Sequence, residues 1–392
     1  MKRFSEPSAE GLRRERALRL ILLLGVVSLL GDIVYEGCRG VVGPYLAFLG
    51  AGASAIGLLS GLGEFLGFAL RLPFGSLSDR TRSYWGMTIL GYGLLLSVPL
   101  LALAGNWWLA AVLLLVERTG KALRSPARDT ILSHATLQVG AGRGFAIHEL
   151  LDQVGAIAGP LLFSLLLLRL NYRGAFSVMF FPFLLLMFFL ILARRTLPQL
   201  PIESETKPEA TKLEEATSLR WYNLFVFFSV AGLLPFPLLA YHLKVGGLVA
   251  ESSIPLVYSL AMGADALMAY PIGVAFDRWG MVSLSLASLF SAMVPLAMLP
   301  GFPSLLLGAV ALGFAISAHE TVMRAAVAKL SASGRRGRAY GSFQSVYGIS
   351  HLLGNSICGL LYERGRFLLS LYVLVMEALS LLVLGKLTRR EV

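Results

Sequence analysis

The 392-residue sequence contains few charged residues and almost no cysteine. Asp, Glu, Lys and Arg make up 15% of the chain, whereas soluble domains carry about 25%. The two cysteines, Cys38 and Cys358, do not form a metal-spaced motif, and apolar packing is their expected role. Neither a Gly-x-x-x-x-Gly-Lys-Ser/Thr loop nor a His-Glu-x-x-His motif occurs. The sequence therefore predicts neither ATP hydrolysis nor a catalytic metal, and no cofactor is expected.

Long apolar runs take the place of the missing charge. Hydrophobic residues make up 56% of the chain, and the mean hydropathy is +0.72. Runs of about 20 apolar residues cross a bilayer as helices, whereas β-barrel strands alternate over about 10 residues. The predicted fold class is an all-α polytopic membrane protein with about twelve spans. We place these spans at 18–46, 53–77, 85–104, 107–123, 143–168, 173–193, 221–243, 253–276, 280–299, 304–328, 339–362 and 367–386.

The excess of cations lies on one side of the predicted spans. The net charge is +11, and the basic residues concentrate at both termini and in the loops at 78–84, 124–143 and 329–338. This positive-inside pattern explains the charge without nucleic acid and predicts that both termini are cytoplasmic. The basic start leads into an apolar run too long for a signal peptide, so we expect an uncleaved first span. The predicted location is the plasma (inner) membrane, where we expect a monomer within the lipid bilayer.

One polar segment divides the chain. It contains three prolines and a charged stretch at 203–209, a composition typical of a disordered or loosely helical tether. We therefore predict an N-terminal six-helix bundle at 1–193, a cytoplasmic linker at 194–220 and a C-terminal six-helix bundle at 221–392.

Two sequence features occur once in each half. Gly75-Ser-Leu-Ser-Asp79-Arg80 follows the second predicted span, and Gly273-Val-Ala-Phe-Asp277-Arg278 follows the eighth, at an offset of 273 − 75 = 198 residues. Gly-Arg-Gly-Phe at 142–145 and Gly-Arg-Ala-Tyr at 337–340 begin the fifth and eleventh spans, with a similar offset of 338 − 143 = 195 residues. Such spacing indicates a duplicated membrane protein, a known plan for transporters.

These motifs resemble those of the major facilitator superfamily over nearly the whole chain. The first copy departs from the family pattern, because Arg82 and Ser83 stand where the family usually has Gly-Arg. In the fifth span, Gly155-Ala-Ile-Ala-Gly159-Pro160 resembles the Gly-x-x-x-Gly-Pro motif of proton-coupled drug antiporters. The resemblance implies alternating access between two six-helix halves. It also implies a gating role for the residues of these motifs: Asp79, Arg80, Gly155, Gly159, Pro160, Asp277 and Arg278.

Ionisable side chains inside the spans are the candidate functional residues. Each costs roughly 2.5–3.5 kcal/mol at the bilayer centre, so it is expected to face a cavity or a partner. The candidates for proton coupling are Asp32, Glu64, Glu149, Asp152 and Asp265. The candidates for substrate binding are Tyr35, Glu36, Arg39, Arg71, Arg118 and Tyr347. The alternative interpretation is that these groups form fixed ion pairs that hold helices together.

Three further expectations come from local pattern. Lys121, Arg124 and Arg128 are placed near the cytoplasmic surface, as anchors more than as binding residues. Glu320 and Arg324 are four residues apart and are expected to pair with each other. The segment 235–237, Pro-Phe-Pro, is expected to break or bend the seventh span.

The resulting hypothesis is a transporter and not an enzyme. We expect a secondary active transporter that exports a small organic or drug-like solute in exchange for protons. Within transport, the alternatives are an organic-anion symporter or uniporter, with Arg39, Arg71 or Arg118 as the anion clamp, and a lipid flippase. The alternative from another class is a receptor or intramembrane enzyme on the same scaffold.

Overall fold

The computed structural model describes residues 9–136, 139–197, 213–331 and 336–391. These residues form α-helices and short 3-10 turns, with no strand in the described ranges. The α-helices of the first half are α1 (Ala9–Arg39), α2 (Val42–Phe48), α3 (Ala53–Ala69), α4 (Arg71–Thr81), α5 (Tyr84–Gly93), α6 (Ser97–Leu100), α7 (Trp107–Thr136), α8 (Ala141–Leu167), α9 (Tyr172–Val178) and α10 (Phe180–Thr196). Those of the second half are α11 (Leu213–Gly232), α12 (Phe236–Val245), α13 (Ile254–Trp279), α14 (Ser285–Met293), α15 (Phe302–Leu330), α16 (Arg336–Arg364) and α17 (Arg366–Glu391). The 3-10 turns are Leu94–Leu96, Leu101–Leu103, Glu251–Ser253, Gly280–Leu284 and Val294–Met298.

The helices combine into twelve bilayer-length spans. Nine segments of the described chain are long and apolar enough to cross a membrane. One of them, Glu251–Met298, contains two spans, because the turn at Gly280 separates α13 from α14. The helices α7 and α16 are equally long but carry more polar residues, so hydropathy alone misses them. The predicted all-α polytopic fold is confirmed.

Matching turns relate the two halves. We name the side that holds both ends of the described chain the terminal side, and the other the opposite side. On the opposite side, Gly50 and Gly247 both have positive φ, at 247 − 50 = 197 residues apart. On the terminal side, Arg82 and Gly280 have φ of 52° and 57°, at 280 − 82 = 198 residues apart. The duplication inferred from the motifs therefore extends to the backbone of the turns.

The helix breaks have local causes. Asn106 and Asn171 begin helices on the opposite side, where each side chain accepts a hydrogen bond from a backbone N–H three residues later, at 2.9 Å. The Pro-Phe-Pro segment separates α11, which ends at Gly232, from α12, which begins at Phe236. The predicted break in the seventh span is thus confirmed.

The fourth span is longer than the sequence predicts. We expected a loop at 124–143, but α7 continues to Thr136 despite Pro126 within it. Side-chain hydrogen bonds follow the helix across this proline: Ser125 Oγ donates to the carbonyl of Lys121, and Thr130 Oγ1 to that of Pro126. The prediction was wrong because the charges of this segment occupy one face of a helix and do not mark its end.

The predicted linker, 194–220, lies mainly outside the described residues. Its first residues still belong to α10, which ends at Thr196, and α11 begins at Leu213. The intervening residues 198–212 are outside the described ranges.

The two halves approach most closely through glycines of α3. A Cβ atom on Gly61 would lie 2.8 Å from the carbonyl oxygen of His351 in α16. Such an approach of two backbones is possible only with small residues at the contact. The largest buried apolar cluster, by contrast, draws its buried residues from the first half alone. The first half therefore has a core of its own, and the two halves meet where α3 packs against α16, α8 against α13 and α2 against α12.

The described hydrogen bonds between the halves lie toward the opposite side. Tyr258 donates to Glu36 at 2.6 Å, Ser164 to the carbonyl of Ser252 at 2.6 Å, and Ser259 to that of Ile157 at 3.0 Å. Nearer the loops, Tyr172 donates to Glu251, and the backbone N–H of Ser54 donates to Glu363. These contacts close the halves on the opposite side. Toward the terminal side the contact between the halves is apolar, as where a Cβ atom on Gly341 would lie 2.6 Å from Cδ1 of Leu72.

Candidate functional site

A polar cavity of about 250 Å³ lies between the two halves. Its walls come from α1, α3, α4, α7 and α8 of the first half and from α13, α15 and α16 of the second. Eight carboxylates and seven Lys or Arg side chains line it. The structure brings nearly all of the predicted site residues to this cavity: Asp32, Glu36, Arg39, Glu64, Arg71, Arg118, Glu149, Asp152, Asp265 and Tyr347. Tyr35 lines the adjoining pocket.

Glu64 is held by two arginines. Its Oε1 lies 2.7 Å from Arg39 Nη2 and 3.4 Å from Arg118 Nη2. Both arginines also donate to the hydroxyl of Tyr35, Arg39 at 3.1 Å. The carboxylate of Glu36 lies farther from Arg39, at 4.0 Å. The geometry at Glu64 therefore fits the fixed ion-pair interpretation better than that of a proton carrier.

Asp32 and Asp152 form a pair of neighbouring carboxyl groups. The two side chains, from α1 and α8, line the same cavity, close enough for their charges to repel each other. Ser28 Oγ donates to Asp152, and Arg128 Nη1 donates to Ser28 Oγ at 3.0 Å. A proton on one of two neighbouring carboxyl groups removes their mutual repulsion. This pair is therefore a candidate place for a proton in the cavity.

Gln153 lies among carboxylates of the two halves. It lines the cavity together with Glu149 on its own helix and Asp265 on α13, and its Oε1 has no hydrogen-bond partner among the described residues. Asp265 is 5% exposed, and Ser317 donates to its backbone carbonyl at 3.1 Å. Glu320, on α15, is close enough to interact electrostatically with Glu149 and Asp265. We name the side chains of Asp32, Glu149, Asp152, Asp265 and Glu320 the acidic wall.

The opposing surface is basic and comes from α4 and α7. Lys121 Nζ lies 3.9 Å from the centre of the Tyr35 ring. The guanidinium of Arg71 lies 4.6 Å from the centre of the Phe68 ring. Arg124, 4% exposed, lies 3.7 Å from Glu117, and its Nη1 has no hydrogen-bond partner among the described residues. We name the side chains of Arg71, Arg118, Lys121, Arg124 and Arg128 the basic wall. Lys121, Arg124 and Arg128 were expected as anchors near the cytoplasmic surface and as partners for Asp79 or Asp129. The extension of α7 places all three at the cavity, and Arg128 does pair with Asp129, at 2.9 Å.

A smaller apolar pocket of about 90 Å³ adjoins the cavity toward the opposite side. Tyr35, Leu59, Val98, Leu114 and Phe236 contribute to its lining. Arg39, Glu64 and Arg118 line both spaces, so their ion-pair layer separates the polar cavity from the apolar pocket.

Tyr347 belongs to an aromatic contact between the halves. Its ring centre lies 4.7 Å from that of Phe68 on α3 and 4.9 Å from that of His351 on its own helix. The ring of Tyr347 thus covers the side of the cavity between α3 and α16.

The Gly-x-x-x-Gly-Pro segment packs α8 against α1. A Cβ atom on Gly159 would lie 2.7 Å from the carbonyl oxygen of Ile33 and 2.8 Å from the backbone nitrogen of Gly37. One on Gly155 would lie 3.0 Å from Cβ of Asp32. Pro160 belongs to the same contact, because a Cβ atom built on Gly40 would lie 3.4 Å from the Cβ atom of Pro160. The segment therefore sets the separation of the helices that carry Asp32 and Asp152.

The two copies of the charged turn lie at equivalent helix ends on the terminal side. Asp79, Arg80, Asp277 and Arg278 are exposed. Asp79 accepts a hydrogen bond from Tyr84 of its own half, at 3.1 Å. None of the described hydrogen bonds or ion pairs connects these residues to the other half.

Sequence reasoning missed several polar residues that the fold brings together. Gln153 lines the cavity among the acidic residues, and it carries no charge that would flag it within a span. Glu377 was missed although it is a lone carboxylate within the apolar α17; it is 2% exposed, and Ser380 donates to it at 3.3 Å. The expected Glu320–Arg324 pair is wrong, because no described ion pair joins these residues.

No group of His, Cys, Asp and Glu among the described residues has an arrangement that could hold a metal ion. The chemistry of the cavity is therefore that of its carboxylates, guanidinium groups and hydroxyls.

Comparison with known proteins identifies the family. The sequence profile described as Major Facilitator Superfamily matches residues 22–248 and 216–391. The chain belongs to this superfamily. An uncharacterized protein of Mycobacterium tuberculosis strain H37Rv is 38% identical over 379 residues, which are 94% of this chain and 92% of that relative. An uncharacterized MFS-type transporter of Methanocaldococcus jannaschii is 27% identical over 380 residues, 93% of this chain and 94% of that protein.

Solved structures of other superfamily transporters share the fold. A mutant form of the nucleoside transporter NupG superposes with a TM-score of 0.77 at 15% identity, covering 94% of this chain and 99% of that chain. A bacterial homolog of the human lysosomal transporter Spinster, inward-facing and occupied, superposes with a TM-score of 0.70 at 16% identity. The match covers 94% of this chain and 95% of that chain. The family and these neighbours are transporters and not enzymes, in agreement with the sequence-based hypothesis. Membrane transport of a small molecule is thus established for this chain as a superfamily member.

Proposed function

We propose that this superfamily member is a proton-coupled secondary transporter that exports a small polar organic solute by alternating access. The observation that carries this proposal is the Asp32–Asp152 carboxyl pair at the wall of a charged cavity between two halves. The solute enters the cavity from the terminal side, which we take to be the cytoplasm because the basic loops lie there.

Competition between the solute and a proton for the carboxyl pair would couple solute transport to proton transport. A basic group of the solute and a proton both neutralise Asp32 and Asp152, so the pair holds one or the other. A solute that enters with such a group displaces the shared proton, and a proton arriving from the opposite side displaces the solute. This exclusion favours exchange over movement in the same direction, and it requires no residue outside the cavity.

Closure of the terminal side would use the duplicated turns. In the present arrangement Asp79, Arg80, Asp277 and Arg278 are exposed at helix ends of the two halves. When the halves approach there, these charges would meet each other or the neighbouring helices. Under this proposal, Asp79→Asn speeds modification of cavity cysteines from the terminal side, and an unchanged rate contradicts the gating role.

The proton step is tested in proteoliposomes that contain a pH-sensitive dye. A panel of small polar solutes is added with and without an imposed pH gradient, and proton flux is recorded. We expect at least one solute to drive proton movement in the wild type. Asp32→Asn should still fold and bind that solute but should lose the coupled flux, because an amide cannot share the proton. Solute movement that never carries protons, or coupling retained in Asp32→Asn, would contradict the proposal.

Organic-anion symport or uniport is the second candidate. It is favoured by Arg71, whose guanidinium has no carboxylate partner among the described ion pairs and instead donates to the carbonyl of Gly67 at 3.0 Å. The same proteoliposomes separate the two candidates: in antiport, protons and solute move in opposite directions, whereas a symporter moves them together and a uniporter moves no protons.

A further inference from the structure

We infer that the solute recognised by the cavity is a small zwitterion, with its anionic group on the basic wall and its cationic group on the acidic wall. This inference rests on the transport function proposed above and names its substrate class. It follows from the way in which the cavity's charges are separated, paired and left unpaired.

The two walls belong to different groups of packed helices. The acidic wall is built where α8 packs against α1 and α13, with α15 behind α13. The basic wall is built where α4 packs against α7. The two walls approach each other at Arg128, which reaches Asp152 through Ser28. Each wall also has a neighbour of the opposite sign, Asp129 on α7 and Arg324 on α15.

Most of the acidic wall has no cationic partner. Glu149, Asp265 and Glu320 are not part of any ion pair among the described residues, and Gln153, which lines the cavity with them, carries no charge. A carboxylate that is withdrawn from bulk water without a partner is costly, and an incoming ammonium group would remove that cost. The acidic wall therefore selects a cationic group.

The basic wall shows the corresponding deficit. Arg71 and Lys121 lie over the aromatic rings of Phe68 and Tyr35, and no described ion pair includes either residue. Arg124 retains an unpartnered Nη1 although it is almost fully buried. Guanidinium groups bind carboxylate and phosphate oxygens through paired hydrogen bonds, so this wall selects an anionic group.

The near balance of charge argues against a singly charged solute. The acidic wall has five carboxyl side chains and the basic wall has five Lys or Arg side chains, so a plain anion or cation satisfies one wall and is repelled by the other. A zwitterion satisfies both. The volume of about 250 Å³ lies below the roughly 300–1,000 Å³ typical of sites for drug-sized ligands, which limits the solute to a small molecule.

The test is a binding experiment on the purified full-length protein, independent of transport. The probes are amino acids, dipeptides and aminoalkyl sulfonates, each compared with its N-acetylated form and, where it has a carboxylate, its amidated form. Thermal stability reports binding, because a ligand that binds only the folded state raises the melting temperature. We expect one or more zwitterions to bind about ten- to a hundredfold more tightly than either blocked form.

Variants assign each charge to its wall. Arg71→Gln should abolish the preference for the free acid over its amide. Asp265→Asn or Glu149→Gln should abolish the preference for the free amine over its acetyl form. Arg173→Gln, an exposed change outside the cavity, should alter neither preference. Melting temperatures measured without ligand identify any variant that does not fold. If one of the two acidic-wall variants does not fold, the other takes its place.

The possible results are distinct. A library in which no zwitterion binds, or in which a blocked form binds as tightly as its parent, overturns the inference. Binding of a zwitterion that drives no proton flux in proteoliposomes leaves the inference intact and contradicts the proposed coupling. If only a singly charged solute drives proton flux, the zwitterion inference is overturned and the proposed proton coupling stands.

Discussion

Arg82 and Gly280 end two equivalent helices, yet their backbones tolerate different residues. Arg82 lies in the left-handed helical region, with φ 52° and ψ 23°. Gly280 has φ 57° and ψ −135°, a region that is essentially restricted to glycine. We expect Gly280→Ala to destabilise the protein by about 1–3 kcal/mol. Arg82→Gly removes a milder strain and should leave stability unchanged or raise it by at most about 1 kcal/mol.

Thermal unfolding of the two variants in the same detergent provides the measurement. Gly385→Ala is the control, because no atom lies within 4 Å of the added Cβ and its φ is not positive. If Gly280→Ala and the control unfold at the same temperature, the terminal-side turn does not require glycine.

Tyr258 contributes a buried hydrogen bond that exists only while the halves are closed on the opposite side. Tyr258→Phe keeps the ring but removes the donor to Glu36. We expect it to destabilise that closed arrangement by about 1–3 kcal/mol, because a charged acceptor loses its partner. The opening is measured as faster labelling of Leu59→Cys, in the apolar pocket, by an impermeant maleimide applied from the opposite side.

Tyr45→Phe is the matched control. It removes a hydrogen bond of the same length, 2.6 Å, to the carbonyl of Leu101 within the first half. It should lower stability without changing the labelling rate. Equal labelling rates for both variants would show that the Tyr258–Glu36 contact does not hold the halves together.

The sequence locates the ionisable residues of the site but not their partners. The cost of charge in a bilayer flags Asp32, Glu64 and Asp152 without any structure. It does not reveal that Glu64 has two arginines while Asp32 faces another carboxyl group. That difference depends on which helices pack together. It distinguishes Glu64 from Asp32, although the sequence predicts a proton-coupling role for both.

At the scale of helices, hydropathy predicts the lipid-facing spans and fails on the cavity-facing ones. The predicted boundaries agree closely for the span formed by α9 and α10 and for α17, whose large exposed residues within the span are apolar. They fail for α7, because a helix with one charged face has the composition of a loop in its second half. A period of 3.6 residues in the charges, 117, 121, 124 and 128, is the signal that would have identified the longer helix.

The contact between α1 and α8 leads to a prediction about coupling. Gly159→Ala places a methyl group against backbone atoms of Ile33 and Gly37, so one helix must move. Overpacking of this kind costs about 1–3 kcal/mol, and the shift also separates Asp32 from Asp152. We expect lower thermal stability and weaker proton flux per solute moved.

Gly263→Ala is the control for this prediction, because it lies in the helix interior of α13 with no atom within 4 Å of the added Cβ. It should retain both stability and coupling. A Gly159→Ala protein with wild-type coupling would show that the spacing of α1 and α8 does not govern the carboxyl pair.

At the scale of the whole molecule, duplication predicts two similar halves but not their relative position. The sequence contains the matching turns and the small residues that permit close packing. Which side is closed depends on contacts such as Ser54–Glu363 and Tyr258–Glu36, between residues that lie 309 and 222 positions apart. No local sequence pattern encodes such pairs, so the sequence does not predict which side of the molecule is closed.

A cross-link across the closed side tests whether transport requires that side to open. The backbone N–H of Ser54 lies 2.9 Å from Glu363 Oε1, and both residues are accessible from the opposite side. A short reducible thiol cross-linker on Ser54→Cys/Glu363→Cys should abolish solute-driven proton flux and leave binding from the terminal side intact. Cleavage by reductant should restore flux. Cys358 is buried, and Cys38, which lines the apolar pocket, is first replaced by Ala so that it does not react.

The control pair is Asn223→Cys/Ser342→Cys, which replaces a 2.8 Å hydrogen bond inside the second half. Its cross-link joins α11 to α16 without spanning the halves, so flux should continue if each half moves as a unit. Loss of flux in both cross-linked proteins would mean that movement within a half is also required. Flux retained in the Ser54–Glu363 cross-linked protein would contradict alternating access through this seam.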